Sequence, residues 1–576
     1  MSNAKEKEEE KKTKEEIVKE NSNYLRGTIK EELSQDTAHF SSDSGKLLKF
    51  HGVYEQDDRD TRQERVAKKL EKEYIFMIRT KLPGGQLTAD QYLKLNLICD
   101  RYSNKTLRIT TRQTIQFHGI IKGNLRKTLN EINKNLITTY GGCGDVVRNV
   151  MACPVCDIDP EYSINLNNIA KEISNHLLPN TKAYYEIWID DEKVPAVGRD
   201  GKSAKEEEPL YGKTYLPRKF KIGLALPQDN CIDLFTQDIG VVAIIESVKG
   251  RVGEGAKLQG FNLLIGGGLG HHHNKPETYP RLATELCFVT PDKLIDTLEK
   301  IVTIQRDYGS RGNRKHARMK YLIDDRGLDW FKAELEKRVG VCLDKPMPVA
   351  SYRTCDHLGW NKQNNGNRKW YLGLFIENGR ICDQDGRKIK SGLKEIIEKF
   401  QPDIRLTPQQ NIILTNINEE DKEEINQLVQ KHKIFTKEIV SKIRRNSMAC
   451  VALPTCGLAL AEAERALPGV MDELEEMGFG DEEISIRMSG CPNSCSRPPV
   501  AELGIIGMST DKYNIYIGGD FNGTRLNKTY KESVAGKNLA GEIAQLIREY
   551  HSKCKSGERF GDFYNRIRLK DFNELV

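Results

Sequence analysis

Residues Leu107 to Ile120 have the sequence LRITTRQTIQFHGI, and residues Ile404 to Ile417 repeat its pattern as IRLTPQQNIILTNI. The two stretches align without a gap, so that Arg108 matches Arg405 and Gln113 matches Gln410. Similarity of this kind within one chain indicates an internal repeat, and a repeat determines how the rest of the sequence is divided.

Two further pairs of segments follow the first pair in the same order. RNVMAC begins at Arg148, about forty residues after the start of the first stretch, and RNSMAC begins at Arg445, at the same distance after the start of the second; they end at Cys153 and Cys450. Farther along, NLLIGG begins at Asn262 and NIYIGG begins at Asn514. Three matched segments in one order predict an ancient duplication, with two halves related by a pseudo-twofold axis.

Each half opens with the same succession of predicted elements. A strand-rich stretch (74–85 and 370–381) precedes a helical stretch (89–102 and 393–400), and the Arg/Thr/Gln strand follows. This order predicts a small α+β unit in each half of an α/β protein. We expect the two units to pair into one continuous sheet, with a longer lobe after each unit and a cofactor between the lobes.

Four cysteines near the C-terminus form two close pairs. Cys450 and Cys456 are separated by five residues in NSMACVALPTCG, and Cys491 and Cys495 by three residues in MSGCPNSCSRP. Thiolates are soft ligands, and two close pairs allow short loops to converge on one cluster from two sides. The spacing therefore predicts an iron-sulfur cluster.

Disulfides and zinc are the alternatives for these four cysteines. Disulfides are disfavoured because the N-terminus, MSNAKEKEEEKKTKEE, has no apolar signal core, and we therefore expect a reducing cytosol. Zinc usually binds a Cys-x2-Cys knuckle, and neither pair has that spacing. The other ten cysteines are interpreted as small buried hydrophobes; Cys153 and Cys156 have the knuckle spacing but lack a second pair.

The composition is typical of a soluble protein with several domains. The chain has 576 residues, of which 38% are hydrophobic and 30% charged, and apolar runs such as VVAII at 241–245 are too short to span a membrane. A net charge of +6, from 89 basic and 83 acidic residues, gives no indication of nucleic acid binding. The run from Lys5 to Glu16 has no apolar residue and predicts a solvated helix or arm.

The two halves differ in the chemistry that they carry. Only the second half has both cysteine pairs, whereas the first half contains TYLPRKFK at 214–221. Lys219 and Lys221 are two residues apart, so on a strand both side chains point to the same face. A lysine taken singly is more often a solvated surface charge. Together, a cluster in one half and cations in the other predict a site that joins an electron source to an anion.

The chain resembles the siroheme and [4Fe-4S] sulfite and nitrite reductase family, in its assimilatory sulfite-reducing branch. The segments that carry the resemblance are NSMACVALPTC, SGCPNSC, RTKLPGG, TTRQTIQFHG, RNVMACP, TYLPRKFK and NLLIGGGLG. They are specific, and the match runs from Asn21 to the GERFGDF segment at 557–563. The resemblance implies a [4Fe-4S] cluster on the four cysteines, with Cys495 as the thiolate shared with the siroheme iron.

The resemblance also implies a trilobed, internally duplicated, pseudo-twofold fold. On this basis we divide the chain into an N-terminal arm at 1–70, paired ferredoxin-like α+β halves at 71–140 and 347–418, a first-repeat lobe at 141–346 and a second-repeat lobe at 419–576. The first-repeat lobe would carry anion-binding residues, and the second-repeat lobe would carry the cluster cysteines.

Four residues match the anion-binding residues of the family: Arg79, Arg148, Lys219 and Lys221. Sulfite carries up to two negative charges, and a desolvated site must neutralise them to hold the anion at an iron. Arginine offers a planar fork that matches oxyanions, and lysine adds a compact donor that can also deliver protons.

Siroheme carries eight carboxylates, so the resemblance implies a pocket with many donors and cations. Five polar residues of LRITTRQTIQFHG fall on alternate positions, and we expect them to line one face of a strand toward the macrocycle. With two residues from the family motifs, the predicted cofactor contacts are Arg108, Thr110, Arg112, Gln116, His118, Asn149 and Cys495. For His118 the alternatives are iron ligation and a satisfied core histidine. We expect a hydrogen-bonding role, because the resemblance gives the axial position on the iron to Cys495.

One residue departs from the family pattern. Ser494 stands where the family commonly has glycine between the last two cysteines. A small polar residue is expected to be tolerated there unless the position requires a positive φ angle.

The activity implied is the six-electron reduction of sulfite to sulfide in assimilatory sulfur metabolism and cysteine biosynthesis. Nitrite reduction to ammonia is the alternative within the family, and the two lysines favour the more highly charged sulfite. A non-catalytic cluster protein is the alternative from another class. The chain has neither a dinucleotide motif nor a P-loop, so we expect a separate electron donor, either an NADPH flavoprotein or a ferredoxin, in the cytoplasm.

Overall fold

A computed structural model of the chain describes residues 11–160, 162, 164–189, 207–246, 257–273, 275–364 and 368–573. Strands in these ranges form four five-stranded sheets and one two-stranded hairpin. In chain order the strands are β1 (Val53–Asp57), β2 (Tyr74–Arg79), β3 (Gln86–Leu87), β4 (Leu107–Ile109), β5 (Ile115–Ile120), β6 (Met151–Ala152), β7 (Ile222–Ala225), β8 (Ile239–Glu246), β9 (Lys257–Ile265), β10 (Thr284–Val289), β11 (Gly359–Lys362), β12 (Trp370–Leu374), β13 (Arg380–Ile381), β14 (Asp383–Gln384), β15 (Arg387–Lys388), β16 (Asp403–Leu406), β17 (Ile412–Ile417), β18 (Ser447–Ala449), β19 (Ile486–Ser489), β20 (Leu503–Ser509), β21 (Lys512–Ile517) and β22 (Lys528–Ala535).

The helices cover the sheets. In chain order they are α1 (Lys14–Glu20), α2 (Ile29–Leu33), α3 (Ser42–Leu47), α4 (Arg62–Ala67), α5 (Ala89–Tyr102), α6 (Leu125–Lys134), α7 (Leu166–His176), α8 (Ala183–Trp188), α9 (Leu294–Tyr308), α10 (Met319–Arg326), α11 (Leu328–Val339), α12 (Ile389–Phe400), α13 (Lys422–Lys431), α14 (Lys442–Arg445), α15 (Leu467–Glu476), α16 (Leu539–Lys553) and α17 (Phe560–Asn573). Thr88 and Gln91 begin α5 with a reciprocal capping box, which satisfies two backbone N–H groups. Among the residues described, no helix is both long and apolar enough to cross a bilayer.

Two of the sheets contain the ferredoxin-like halves, and each takes an edge strand from the other half. Their strand orders are β1-β2-β5-β4-β13 and β11-β12-β17-β16-β3. Strand β13 of the second half pairs with β4, and β3 of the first half pairs with β16. This exchange confirms the predicted duplication. The prediction of one continuous sheet is wrong, because each half instead closes the exposed edge of its partner with a short strand.

The other two sheets form the cores of the two repeat lobes and share one topology. Their orders are β10-β9-β8-β7-β6 and β18-β19-β20-β21-β22. In both, three strands run parallel from one edge and the last two run antiparallel. One hydrophobic core runs through the two ferredoxin-like halves and the first lobe, whereas the second lobe has a core of its own.

The repeated fourteen-residue stretch forms a β-hairpin in each half, and the prediction of a single strand is wrong. The turns are 110–114 between β4 and β5, and 407–411 between β16 and β17. In each turn the first threonine hydroxyl accepts the amide N–H four residues later, at 3.3 and 2.9 Å. Gln113 and Gln410 have φ angles of +55° and +69°. A positive φ at glutamine is uncommon, so residue type alone did not indicate the turn.

The segment predicted as an N-terminal arm, residues 1–70, differs from that expectation. Residues 1–10 lie outside the described ranges, but β1 pairs with β2, and Phe40 and Phe50 are buried in the main core. Glu16 and Lys19 are also buried and form an ion pair. The apolar residues that follow the charged run explain this packing, because they bury surface on the first half.

Candidate functional site

The four cysteines of the predicted cluster converge because they follow two adjacent parallel strands. Cys450 comes directly after β18, and Cys491 comes two residues after β19; these strands pair in parallel, with Met448 opposite Arg487. Carboxyl ends of neighbouring parallel strands meet at one edge of a sheet. Short loops then place Cys456 and Cys495 at that same edge.

The thiols fit a multinuclear cluster better than a single ion. All four cysteines are free, and burial together with neighbouring Cys495 raises the pKa of Cys491 to about 11. Within the described ranges, none of these four cysteines belongs to a group of three or more metal-ligating side chains whose ligand atoms all lie within 4.8 Å of one another. A cubane is larger than one ion, so its thiolates must stand farther apart. Binding would release the thiol protons.

Protein donors support two of the sulfurs. The amide N–H of Gly490 donates to Cys450 Sγ at 3.3 Å, and Asn493 Nδ2 donates to Cys491 Sγ at 3.5 Å. Cys495 is exposed, whereas Cys491 is buried. Hydrogen bonds to sulfur tune the potential of a cluster, and an exposed thiol at its edge can face a second group.

The first-half hairpin turn, residues 110–114, contacts the loop that follows β19 and contains Cys491 and Cys495, which we call the cluster loop. Thr111 Oγ1 donates to the carbonyl of Cys495 at 3.0 Å, and Arg497 Nη1 donates to the carbonyl of Thr111 at 3.2 Å. The repeat of one half is therefore in direct contact with the cysteine pair of the other half. This contact places the polar residues of the first hairpin beside Cys495.

A buried carboxylate joins the two lobes behind the cluster loop. Asp233 Oδ2 accepts from Arg487 Nη1 at 2.7 Å and also from Arg497 Nε. Burial acts to raise the pKa of Asp233, but the two guanidinium groups outweigh it and the net shift is downward. Removing one partner of such a buried group typically costs about 3–5 kcal/mol, so Asp233 fixes the cluster loop against the first lobe.

Arg79 lies at the end of β2 beside Gln116 of β5. With the Gln116 carboxamide in the orientation that its neighbours require, its oxygen accepts from Arg79 Nε at 2.9 Å. Burial acts to lower the pKa of Arg79, but Cys143, Tyr54 and Cys495 raise it. Arg79 therefore lies close to the exposed thiol of the cluster loop.

Lys219 and Lys221 flank Phe220 in the segment that leads into β7. Between them Phe220 is buried, and its backbone accepts from Arg148 N at 2.9 Å and donates to Val146 O at 3.1 Å. Burial, followed by neighbouring cations that include Arg148 for Lys219 and Arg112 for Lys221, lowers the pKa of each lysine well below its usual value. Within the described part of the chain, neither ammonium has a carboxylate at ion-pair distance.

Two predicted macrocycle contacts have buried polar atoms without a partner in the described chain. Both ring nitrogens of His118 and the Nε of Arg112 make no hydrogen bond. Burial, with Arg380, Arg108 and Arg79 nearby, lowers the pKa of His118 well below its usual value. Orphaned buried donors are costly, and a polyanionic macrocycle is a group that would satisfy them. The residues present therefore fit siroheme.

Three other predicted contacts are already used by the protein. Arg108 Nε lies 2.8 Å from Glu464 Oε2, and Arg108 Nη2 donates to the carbonyl of Ala449 beside Cys450. Thr110 accepts backbone N–H groups of its own hairpin turn. The Asn149 carboxamide bonds the backbone of Leu82 and Arg112. The protein therefore holds these three side chains in place, and their contact with the macrocycle stays a prediction.

Sequence reasoning missed several residues at the site. Arg79 Nη1 donates to Cys143 Sγ at 3.1 Å, and its guanidinium lies 5.8 Å from the centre of the Tyr54 ring. Asp238 accepts from Arg318 Nη2 at 2.8 Å and from the amide of Lys221 at 3.0 Å. The residues missed are Cys143, Tyr54, Asp238 and Arg318. None of these four belongs to a motif with recognisable spacing, so only their spatial proximity identifies them.

Ser494 has a φ angle of +54°. The position therefore does require a positive φ angle, and this conformation costs a non-glycine residue such as Ser494 roughly 1–2 kcal/mol. The amide of Ser494 donates to the carbonyl of Cys491 at 3.3 Å, which holds the strained residue within the loop.

Comparison with protein families gives two matches. The family profile described as the nitrite and sulphite reductase 4Fe-4S domain matches residues 143–343. The profile described as the nitrite/sulfite reductase ferredoxin-like half domain matches twice, at residues 68–135 and 361–432. The second profile therefore recognises the same duplication that the two strand-exchanged sheets display.

Curated relatives match over nearly the full length. The sulfite reductase (NADPH) hemoprotein beta-component of Anoxybacillus flavithermus is 48% identical, covering 96% of this chain and 95% of its own. That of Oceanobacillus iheyensis is 47% identical, covering 95% and 93%. The solved structure of the Mycobacterium tuberculosis NirA protein superposes with a TM-score of 0.72 at 22% identity, covering 94% of this chain and 96% of that chain, and so has the same fold.

Proposed function

Because the chain belongs to the nitrite and sulphite reductase family, we propose that it catalyses the six-electron reduction of sulfite to sulfide at a siroheme coupled to a [4Fe-4S] cluster. The proposal is supported by four free thiols at one sheet edge, with Cys495 near enough to Lys221 to act on the pKa of that lysine. It is also supported by two lysines without a carboxylate at ion-pair distance and a histidine without a hydrogen bond among the described residues. When bound, the two cofactors supply the electrons and the iron that coordinates the sulfur atom.

The protein's own residues bind the anion. Lys219 and Lys221 have no carboxylate partner among the described residues, so a dianion would supply the missing negative charge. Arg148 adds a guanidinium whose Nε is held by the carbonyl of Gly144 at 3.1 Å. Arg79, which is held by Gln116, is the fourth cation and lies near Cys495. Four cations around one small anion fix its position and orientation.

The same lysines are suited to deliver protons. Each sulfite oxygen must leave as water, which requires protons at the reacting anion. A lysine whose pKa is lowered by burial and by neighbouring cations is a stronger acid than an exposed lysine. Lys219 Nζ and Lys221 Nζ would therefore act as general acids toward the departing oxygens.

Sulfite is favoured over nitrite by charge. Sulfite can carry two negative charges and nitrite only one, and two partly buried ammonium groups match the former. The curated relatives are also named as sulfite reductases. Reduction of nitrite to ammonia remains the alternative reaction that an experiment must compare.

We infer that electrons arrive from a separate flavoprotein that oxidises NADPH. The names of the curated relatives include NADPH, and the sequence of this chain lacks a dinucleotide-binding motif. All fourteen cysteines are free, as the reducing cytoplasm would keep them. In that compartment the enzyme would serve sulfur assimilation and cysteine biosynthesis.

Steady-state turnover of the holoenzyme tests this proposal. With reduced methyl viologen as electron donor, we expect kcat/KM to be higher for sulfite than for nitrite, with sulfide as the product. NADPH alone should support no turnover until a flavoprotein donor is added. A higher kcat/KM for nitrite would show that the enzyme is a nitrite reductase that forms ammonia. Turnover with NADPH alone would contradict the inference that a separate protein donates the electrons.

A further inference from the structure

A second group of metal-ligating side chains lies away from the cluster cysteines. Cys153, Asp229, Cys231 and His357 are all buried, and one ligand atom from each lies within 4.8 Å of the others. Cys153 Sγ is 2.8 Å from Asp229 Oδ2, and His357 Nε2 is 2.8 Å from the same oxygen. In the ranges that the structure describes, this is the one group of its kind.

Three separate segments of the fold bring these residues together. Cys153 directly follows β6, and its amide donates to the carbonyl of Leu224 in β7 at 3.1 Å. Asp229 and Cys231 lie in the loop that follows β7, and His357 lies two residues before β11. Three ligands therefore come from the first repeat and the fourth from the second.

The surrounding backbone and side chains hold the group in place. Asp229 Oδ1 accepts from the amide of Cys355 at 3.3 Å, and the carbonyl of Cys231 accepts from Gln409 Nε2 at 3.0 Å. Ligating carboxylates commonly have such second contacts, which fix their orientation. The remaining oxygen of Asp229 then points at Cys153 and His357.

The contacts inside the group indicate an ion. Although His357 Nε2 is close to Asp229 Oδ2, it makes no hydrogen bond of acceptable geometry and is buried. Cys153 and Cys231 are free thiols, not a disulfide. Cys153 Sγ donates to Asp229 Oδ2, but the ring nitrogen of His357 that faces the same oxygen has no hydrogen bond of its own. A buried group of this kind is costly unless its members share a cation.

We propose that Cys153, Asp229, Cys231 and His357 bind a structural Zn²⁺ ion. Two thiolates, an imidazole and a carboxylate are a ligand set that suits zinc in tetrahedral geometry. Four protein ligands leave no open position for a substrate, so the ion has a structural role. Cys153 and Cys156 have the knuckle spacing, but the ligands that complete the site are distant in sequence.

The ion would anchor the loop that supports the cluster lobe. In this loop Asn230 Nδ2 donates to the carbonyl of Asn522 at 2.8 Å, and Asp233 holds Arg487 and Arg497. Both contacts cross from the first lobe to the second. Zinc at the base of the loop would therefore stabilise the interface at which the cluster is bound.

Metal analysis of the wild-type holoenzyme is the first test. Protein produced with both iron and zinc in the medium, then dialysed against a mild chelator, should contain about one zinc per chain in addition to its iron. X-ray absorption at the zinc edge should show two sulfur ligands at about 2.3 Å and two lighter ligands at about 2.0–2.2 Å. This measurement does not depend on the folding of any variant.

Variants separate this site from the iron-sulfur cluster. Cys153→Ala and His357→Ala should each lower the zinc content at least about tenfold while retaining iron and acid-labile sulfide. Cys156→Ala is the matched control, because Cys156 Sγ donates to the carbonyl of Cys153 at 3.2 Å and is outside the ligand group; it should retain both metals.

Several results would overturn the proposal. These are wild-type protein without zinc, a Cys153–Cys231 disulfide found by alkylation under non-reducing conditions, or iron in place of zinc at the site. If zinc persisted in both Cys153→Ala and His357→Ala, the ion would be bound at another site, and this group of residues would not be its ligands.

Discussion

Cys495→Ser is expected to abolish sulfite reduction and to be the most damaging replacement of any single cysteine. A serine hydroxyl is a hard, weakly acidic ligand that does not replace a thiolate on an iron-sulfur cluster. Cys495 is also the exposed cysteine of the four, and it is near enough to Arg79 and Lys221 to act on the pKa of each, so we expect the siroheme on this side of the cluster. We expect the variant to lose about four irons per chain and the electronic coupling between cluster and siroheme. Iron content and absorption spectrum measure both losses.

Cys554→Ser is the matched control for this replacement. Cys554 packs against the core of the same lobe and lies outside the cradle, so iron content, spectrum and turnover should be unchanged. If purified Cys495→Ser retained wild-type sulfite reduction and an unchanged spectrum, the assignment of the cluster ligands would be wrong.

Lys219→Met and Lys221→Met should each lower sulfite turnover by about a hundredfold or more, as the loss of a charged donor aimed at a reacting group typically does. Methionine retains most of the apolar stem and removes only the charge. Neither ammonium has an ion-pair partner among the described residues, so no buried carboxylate is left unpaired and cofactor content should survive. Rates are to be compared at matched siroheme content, and the loss should be smaller for nitrite, which carries one charge.

The pH dependence provides a second readout of the same lysines. Burial and neighbouring cations lower the pKa of Lys219, so it loses its proton at a lower pH than an exposed lysine. Sulfite binding requires the charged ammonium. The advantage of wild type over Lys219→Met should therefore be largest at low pH and should decrease as pH rises. Because sulfite itself gains a second charge as pH rises, the comparison is made with nitrite, which keeps one charge, so that the lysine is the group whose titration is followed.

Lys213→Met is the control from the same segment. Lys213 is exposed, and its replacement should leave both the rate and its pH dependence unchanged. Equal sulfite turnover in Lys219→Met, Lys221→Met and wild type would remove these lysines from the site and weaken the preference for sulfite over nitrite.

The duplication was predictable because its signal is local in sequence. Gln113 and Gln410 match in aligned stretches, and the structure places both at the same position of equivalent hairpin turns, with positive φ angles. The convergence of the four cysteines was predictable for a similar reason, since each close pair follows one strand and the two strands are neighbours. Short-range spacing therefore carried most of what the sequence predicted correctly.

Features that depend on the register between distant segments were not predictable. The exchange of β3 and β13 requires both halves to be placed in space, and no residue pattern marks a two-residue edge strand. Arg108 was assigned to the macrocycle by alternation, but its partner Glu464 is more than 350 residues away in sequence. The proposed zinc ligands have the same character, because His357 is far in sequence from Cys153.

The most direct test of the central claim is the number of electrons that purified holoenzyme consumes for each sulfide released. Oxidation of reduced methyl viologen and formation of sulfide are to be followed together under anaerobic conditions with sulfite as the only acceptor. Because sulfur passes from S(IV) to S(−II), we predict six electrons per sulfide, with no accumulation of partially reduced sulfur. A ratio near two electrons per sulfite consumed, or donor oxidation without sulfide, would contradict a complete reduction at this site.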